Sequence, residues 1–442
     1  MESRLNKITP ILSSLVIVLI SISPGKAGTE LNLTDAIQKA LDYSYTIKAK
    51  KHDSLKADSD FKTARSLRLP TLSLSAVSYY LDETQSIDFP VQGIPEMEIG
   101  TKENYQADLK LSMPLYTGGK LSGNIDVSEA MLDGSSYNLK SERLVTAYNC
   151  RSAYLKFMLS NIMISSAEVS LQRVKIIYDD IHNLHKSGLA DSVDLLETEL
   201  ARQQAYLAVD RQKTTGTLAS MILADIIGSD LGGDISTVEK IPPPNTSKYL
   251  NQHELTLNRP ELRILDSRIR AADKYRQIEA AGYFPDLSIY GGYSYGKPNR
   301  DQFNSSWNDY FTIGLSLNWS FNFGGKTGHS VNSARQALLS AQMDKDNLND
   351  KFLLQAEMAL ENINHAIRAM NIYEQEFQIA QNKYRLAENK HSAGQLSVNR
   401  LLELEKELTS AEQAYKASII NYYLSENDYL YSTGSDRIFG GL

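Results

Sequence analysis

The chain has 442 residues, room for two or three ordinary domains, with 46 Lys and Arg against 53 Asp and Glu and a formal net charge of −7. That mild acidity excludes an electrostatically driven nucleic-acid binder, and a single cysteine, Cys150, excludes an intramolecular disulfide framework. Mean hydropathy is −0.34, and no apolar run reaches the roughly 18–20 residues of a membrane-spanning helix.

Residues 1–27 read as a secretory signal. Arg4 and Lys7 lead, Ile11–Ser23 is apolar but too short for an anchor, and Gly25-Lys26-Ala27 ends on small residues. Cleavage after Ala27 would remove three cations and Glu2, leaving 43 Lys and Arg against 52 Asp and Glu. Beyond it the chain repeats itself. LPTLSLSAVSYY (69–80) resembles FPDLSIYGGYSY (284–295), LSMPLYTGGK (111–120) resembles LNWSFNFGGK (317–326), and KSGLADSVDLLETEL (186–200) resembles SAGQLSVNRLLELEK (392–406). Two halves follow, 28–240 and 251–434, with a proline-rich linker at 241–250 and a tail at 435–442. Each half reads helix, strand, loop, strand, long helix, break, long helix.

The strands are expected near 69–81, 105–117, 283–296 and 309–322. Tyr105, Ala107, Leu109, Leu111, Met113 and Leu115 share one face, opposite Gln106, Asp108, Lys110, Ser112 and Pro114. Phe311, Ile313, Leu315, Leu317, Trp319 and Phe321 alternate in the same way with Thr312, Gly314, Ser316, Asn318 and Ser320. Strands of about ten residues, apolar on one face and small or polar on the other, are the signature of a transmembrane β-barrel. A soluble sandwich would bury one face in a core, and the small hydroxylated inner faces argue against it. Four strands cannot close a barrel. Two open edges in lipid would leave unpaired backbone groups costing tens of kcal/mol, at several per group, so the chain must share its barrel with copies of itself.

Each second strand stops at a Gly-Gly pair, Gly118-Gly119 and Gly324-Gly325, where glycine's freedom permits a sharp turn into helix. The long segments that follow, 121–228 and 327–432, contain no proline. Ile363, Ala366, Met370, Tyr373, Phe377, Ala380, Tyr384 and Ala387 step by three and four, as do Ile164, Ala167, Leu171, Val174, Tyr178 and Ile181. That spacing means left-handed coiled-coil packing. A helix from Leu121 to Ser187 would be about 100 Å long at 1.5 Å per residue. Breaks come at Gly188-Leu189-Ala190-Asp191-Ser192 and Gly394-Gln395-Leu396-Ser397.

Some signals fall away. Gly325-Lys326-Thr327 resembles the end of a phosphate-binding loop, but Ser320 stands where that motif needs Gly. His182 and His185 share a helix face with only Asp179 and Asp180 nearby, a poor metal set. Neither a catalytic triad nor a cofactor fingerprint is present, so no enzyme, metal or cofactor is expected.

Taken together, the tandem repeat, the Gly-Gly turns, Arg259-Pro260-Glu261-Leu262 opening the second half and the Gly-centred breaks resemble the TolC family of outer-membrane efflux proteins. The resemblance covers nearly the whole chain beyond residue 27. It implies a mixed fold: a homotrimeric twelve-stranded transmembrane barrel, four strands per chain, continuous with a periplasmic α-helical barrel of coiled coils. It also implies a passive exit duct for a tripartite efflux pump or type I secretion system, docked on a periplasmic adaptor and an inner-membrane transporter. Gly188, Leu189, Ser192, Gly394, Leu396 and Ser397 then become docking tips. Asp194, Arg400 and Glu403 become the periplasmic gate, with Arg400 where an acid is common and with His391 and Leu396 replacing the usual linking partners. A stand-alone diffusion porin and a soluble periplasmic coiled-coil scaffold remain as rival readings.

Overall fold

A computed structural model describes residues 29–87, 93, 97–230, 235–237, 244, 257–303 and 305–441. The signal expected over 1–27 and all but one residue of the linker at 241–250 lie outside the described residues. Helices α1 (Leu33–Tyr43) and α2 (Tyr45–Ser66) precede strand β2 (Thr71–Tyr80), and the short strand β1 (Thr29–Leu31) precedes them. A hairpin of β3 (Gln85–Ile87) and β4 (Met97–Ile99) leads to β5 (Glu103–Thr117), then α3 (Lys120–Lys186) and α4 (Ser192–Ile227). After β6 (Ile235–Thr237) the second half runs α5 (Pro260–Ala280), β7 (Asp286–Lys297), β8 (Asn308–Asn318), α6 (Lys326–Ser392) and α7 (Val398–Thr433).

The halves match in detail. Helices α3 and α6 each have 67 residues, and α4 and α7 each have 36. The β2–β5 register, with Thr71 opposite Ser112, is the β7–β8 register, with Asp286 opposite Asn318. Both long helices start from a left-handed glycine, Gly119 (φ 93°) and Gly325 (φ 71°). Only the first turn uses both of its glycines in that way, because Gly118 is also left-handed (φ 61°) whereas Gly324 is not.

Two large hydrophobic cores hold the helices, with a smaller cluster of Val127, Ala130 and Ala271 between α3 and α5. One lies under the barrel-proximal half, where α1, α3, α6 and α7 bury Ile37, Tyr154, Leu155, Ile363, Ile420 and Leu430. The other lies near the hairpin breaks, where Val174, Ile181, Ala201, Ala380, Tyr384, Ala387 and Leu401 meet. The three-and-four spacing thus corresponds to buried seams, although Tyr373 faces out at 37% exposure. Arg259 explains its conspicuous motif. Its guanidinium lies between the rings of Phe352 and Tyr431, at 4.4 and 4.3 Å, and pairs with Glu261 at 2.8 Å. Glu261 also accepts from Ser141 (2.8 Å), so one buried cation joins α3, α5, α6 and α7. A parallel ladder of β1 on β6 adds a belt that the repeat pattern did not reveal.

Candidate functional site: the sheet faces and the hairpin tips

The four long strands form one antiparallel sheet in the order β2-β5-β7-β8. Residues opposite one another share a face, and the rows are chemically uniform. Leu72, Leu111, Gly291 and Ile313 form one row, and Leu74, Leu109, Tyr293 and Phe311 the next. On the other face lie Ser73, Lys110, Gly292 and Thr312, then Ser75, Asp108, Ser294 and Tyr310. Gln106 donates to both Asp108 oxygens, at 3.1 and 2.9 Å, within the polar face. A wholly apolar groove of about 370 Å³ runs over Leu72, Leu111, Ile289, Phe311 and Ile313. The apolar face is uncovered among the described residues, with Leu74 at 76% and Ile313 at 68% exposure. A sandwich would have packed it.

Two strand ends differ from the alternation. A bulge between Pro114 and Tyr116 puts Tyr116, not Leu115, opposite Leu287 in the apolar row. Strand β8 stops at Asn318, so Trp319 and Phe321 lie beyond it and not on its face. The cause is a missing neighbour. β7 runs out at Asp286 because Pro285 precedes it, and β8 is an edge with nothing on its other side.

At the far ends of the hairpins the two breaks share one geometry. Gly188 (φ 76°) and Gly394 (φ 70°) end α3 and α6 in left-handed conformations that side chains disfavour. Among the described residues none beyond the chain neighbours comes within 4 Å of the Cβ either would carry, so torsion and not crowding requires glycine here. Asp191 and Ser397 cap the following helices, accepting from Val193 and Arg400. Ser192 is therefore the first residue of α4, and the counterpart of Ser397 is Asp191. Leu189 projects at 76% exposure, but its counterpart is Gln395. Leu396 is the counterpart of Ala190, and both turn inward, half-buried against the tip core. Leu396 therefore offers its tip a half-buried side chain where Leu189 offers an exposed one.

Two histidines that the sequence offered only as half of a poor metal pair and as a replaced linking partner also shape these tips. His185 Nδ1 lies 3.0 Å from the Ala190 carbonyl and His391 Nδ1 lies 2.9 Å from the Leu396 carbonyl, each ring bridging its own break. The signal was available as a repeated His three residues before the glycine. His182 stacks on Tyr178 (5.6 Å), whose ring also lies 3.9 Å from the Arg202 guanidinium. Among the acidic and basic residues, Arg400 pairs with Glu403 at 2.7 Å across an exposed face. Asp194 and Arg400 hold equivalent positions in the two halves and form no ion pair with each other within the chain. Deeper in, Arg173 binds Glu405 (3.1 Å), Thr409 (2.8 Å) and Glu412 (3.8 Å), tying α3 to α7.

This arrangement has known counterparts. A model of the outer membrane efflux protein family matches residues 36–228 and 252–425, one segment per repeat. The pyoverdine export outer membrane protein OpmQ of Pseudomonas aeruginosa is 23% identical over 334 residues, 73% of this chain and 66% of that protein. The outer membrane protein TolC of Vibrio cholerae is 26% identical over 151 residues, 34% of each. The chain thus spans about two thirds of the first relative's length and one third of the second's. Among solved structures, the Campylobacter jejuni CmeC outer membrane channel matches with a TM-score of 0.77 at 16% identity, covering 98% of this chain and 94% of that one. VceC of Vibrio cholerae matches at 0.76 and 16%, covering 91% and 96%. Matched across both repeats and most of its length, the chain belongs to the outer membrane efflux protein family.

Proposed function

We propose that three copies of this chain form a passive duct through the outer membrane, the exit segment of a tripartite efflux pump or type I secretion system. One observation carries the reading: an uncovered apolar sheet with two open edges runs directly into helices of 67 residues. The sheet fits hydrocarbon on one side and water on the other, and the edges need sister copies. The helices, about 100 Å long at 1.5 Å per residue, suit a tunnel across the periplasm. A stand-alone porin has no use for them. Energy and cargo selection belong to an inner-membrane transporter, reached through a periplasmic adaptor that docks on the open glycines Gly188 and Gly394 and on exposed Leu189. Asp194, Arg400 and Glu403 stand close enough to those tips to act as a periplasmic gate. No catalytic step, metal or cofactor enters this reading.

The test is the double variant Gly188→Trp, Gly394→Trp. Export and adaptor crosslinking are expected to be lost while the detergent-resistant multimer persists, because among the described residues none beyond the chain neighbours lies against either position. Normal export with normal adaptor crosslinking would remove the docking role.

A further inference from the structure

The internal repeat specifies how one copy meets the next. Within the chain, β5 of the first half pairs with β7 of the second, and α3 packs on α5. The elements equivalent to β5 and α3 are β8 and α6, and those equivalent to β7 and α5 are β2 and α2. In the single chain β8 and β2 are edges, and α2 packs on α3 without the second long helix that α5 enjoys. Two fixed shifts relate the halves: Thr71 to Asp286 in the first strands, and Ser112 to Asn318 in the second. Moving the β5–β7 ladder by those shifts gives a ladder between copies.

We propose that β8 of one copy pairs with β2 of the adjacent copy with Leu317 opposite Ala76, and that the helices beneath meet through three apolar pairs that stand where polar pairs join the helices within each chain. This rests on the duct reading and adds its register. Leu111 opposite Gly291 becomes Leu317 opposite Ala76, and Met113 opposite Ile289 becomes Trp319 opposite Leu74. The faces agree: Leu317, Ala76 and Leu74 lie on the apolar side, and Trp319, beyond the end of β8 in the lone chain, would join that side once paired. The premature end of β8 is then accounted for. Beyond Ser112, β5 has lost β2 yet continues to Thr117 because β7 still pairs with it. Residues 319–323 are the equivalents of that stretch, and their ladder partner is the adjacent copy's β2.

The helices give an independent check. Asp133–Arg270 (2.6 Å) maps to Leu339 against Leu55 of the adjacent copy. Tyr148–Asp428 (2.8 Å) maps to Leu354 against Ile222 of the adjacent copy. Arg173–Glu412 (3.8 Å) maps to Ile379 against Tyr206 of the adjacent copy. Each of these three polar pairs becomes a pair of large apolar residues, whereas Asp126–Lys274 maps to Asn332 and Ser59 and stays polar; the six apolar residues are 42–61% exposed in the lone chain. Exposed apolar residues that fall into facing partners under one operator mark a surface the assembly covers.

The register is read by disulfide trapping in outer-membrane vesicles. Directly opposed strand residues lie about 4.5–5.5 Å apart at Cα, within disulfide reach, whereas a two-residue slip does not. Cys150 can stay, because burial pushes its thiol up to about 12. Ala76→Cys with Leu317→Cys is expected to give covalent multimers on oxidation, and Leu74→Cys with Leu317→Cys is not. Crosslinking in the second pair instead of the first overturns the register and leaves the duct standing. A protein that migrates as a monomer, with neither pair crosslinking, overturns both. For the helices, Leu339→Asp and Leu55→Arg should each lower the temperature at which the multimer dissociates. The double variant, which rebuilds the Asp133–Arg270 pair between copies, should recover it. A double variant no better than the singles removes the seam.

Discussion

Four helices of this chain end on the same device in two different settings. Gly188 and Gly394 close α3 and α6 at the tips, and Gly228 and Gly434 close α4 and α7 at their barrel-proximal ends, about halfway along α3 and α6, all with φ between 68° and 76°. Each is followed by the same backbone bond back to the helix, from Leu189 to Leu184, Gln395 to Lys390, Ser229 to Ala224 and Ser435 to Leu430, at 2.8–2.9 Å. Around the tip glycines there is open space. A Cβ on Gly228 would fall 2.2 Å from the Tyr43 ring, and one on Gly434 would fall 2.5 Å from the Asn258 carbonyl oxygen. The torsional demand is equal at all four, so the difference is one of surroundings. The barrel-proximal end is fitted to itself, and the tips leave room for something else.

Breaking that comparison at its most tightly fitted point should have the largest effect. Arg151 is fully buried, 3.7 Å from Glu426, and donates to the carbonyls of Gly440 and Gly441 at 3.0 and 3.2 Å. Arg151→Met is expected to cost about 3–5 kcal/mol by removing one partner of a buried ion pair and the donor to two carbonyls, with Arg437 left at 3.3 Å from Glu426, measured as a fall in the denaturant midpoint in detergent. Gly434→Ala comes next, at about 2–4 kcal/mol, combining left-handed strain with overlap against rigid backbone. Gly228→Ala should cost less, because the Tyr43 ring is partly exposed and can swing away. Gly188→Ala and Gly394→Ala should each cost only the strain, about 1 kcal/mol. Tip and barrel-proximal variants that cost the same would refute the comparison.

Alkali offers a milder probe of the same contrast. Burial, helped by Asp428, pushes the Tyr148 hydroxyl up to about 12, and burial does the same for Tyr423. An unfolded tyrosine ionises near 10, so stability is intact below that pH and is lost as pH rises from 10 through 12. Near the tips only Tyr384 is similarly raised, to about 12. Limited proteolysis across pH 9–12 should therefore cut the barrel-proximal helices first.

Much of this fold was legible in the sequence because repetition doubles every signal. Gly118-Gly119 and Gly324-Gly325, the alternation along β5 and the heptads through Ile363 and Ala387 all report local periodicity, which needs no knowledge of neighbours. What escaped depends on neighbours. The end of β8 at Asn318 reflects a missing strand partner, and the Pro114–Tyr116 bulge reflects the partner's register. The inward turn of Leu396 reflects the tip core beneath it. Alternation assigned Leu115 and Phe321 to the apolar face because period alone cannot see a ladder lose or gain a residue. The tip histidines were named but not given this role, because a ring nitrogen bonded to a carbonyl five residues on is not implied by their repeat position alone.

The smallest expected stability effect falls where the functional load is proposed to be greatest. Arg400 and Glu403 are 53% and 64% exposed and lie one turn apart on a single helix, so their 2.7 Å contact is screened by water. Arg400→Ala should shift stability by no more than about 1 kcal/mol. Its effect should appear in planar-bilayer recordings, as a single-channel conductance different from the unmodified protein, because the gate reading sets one copy of this pair from each subunit around one aperture. Asp194→Ala, at the equivalent position of the first half, should behave in the same way. Wild-type conductance in both would return these residues to an ordinary solvated helix face, with the open tips still available to a partner.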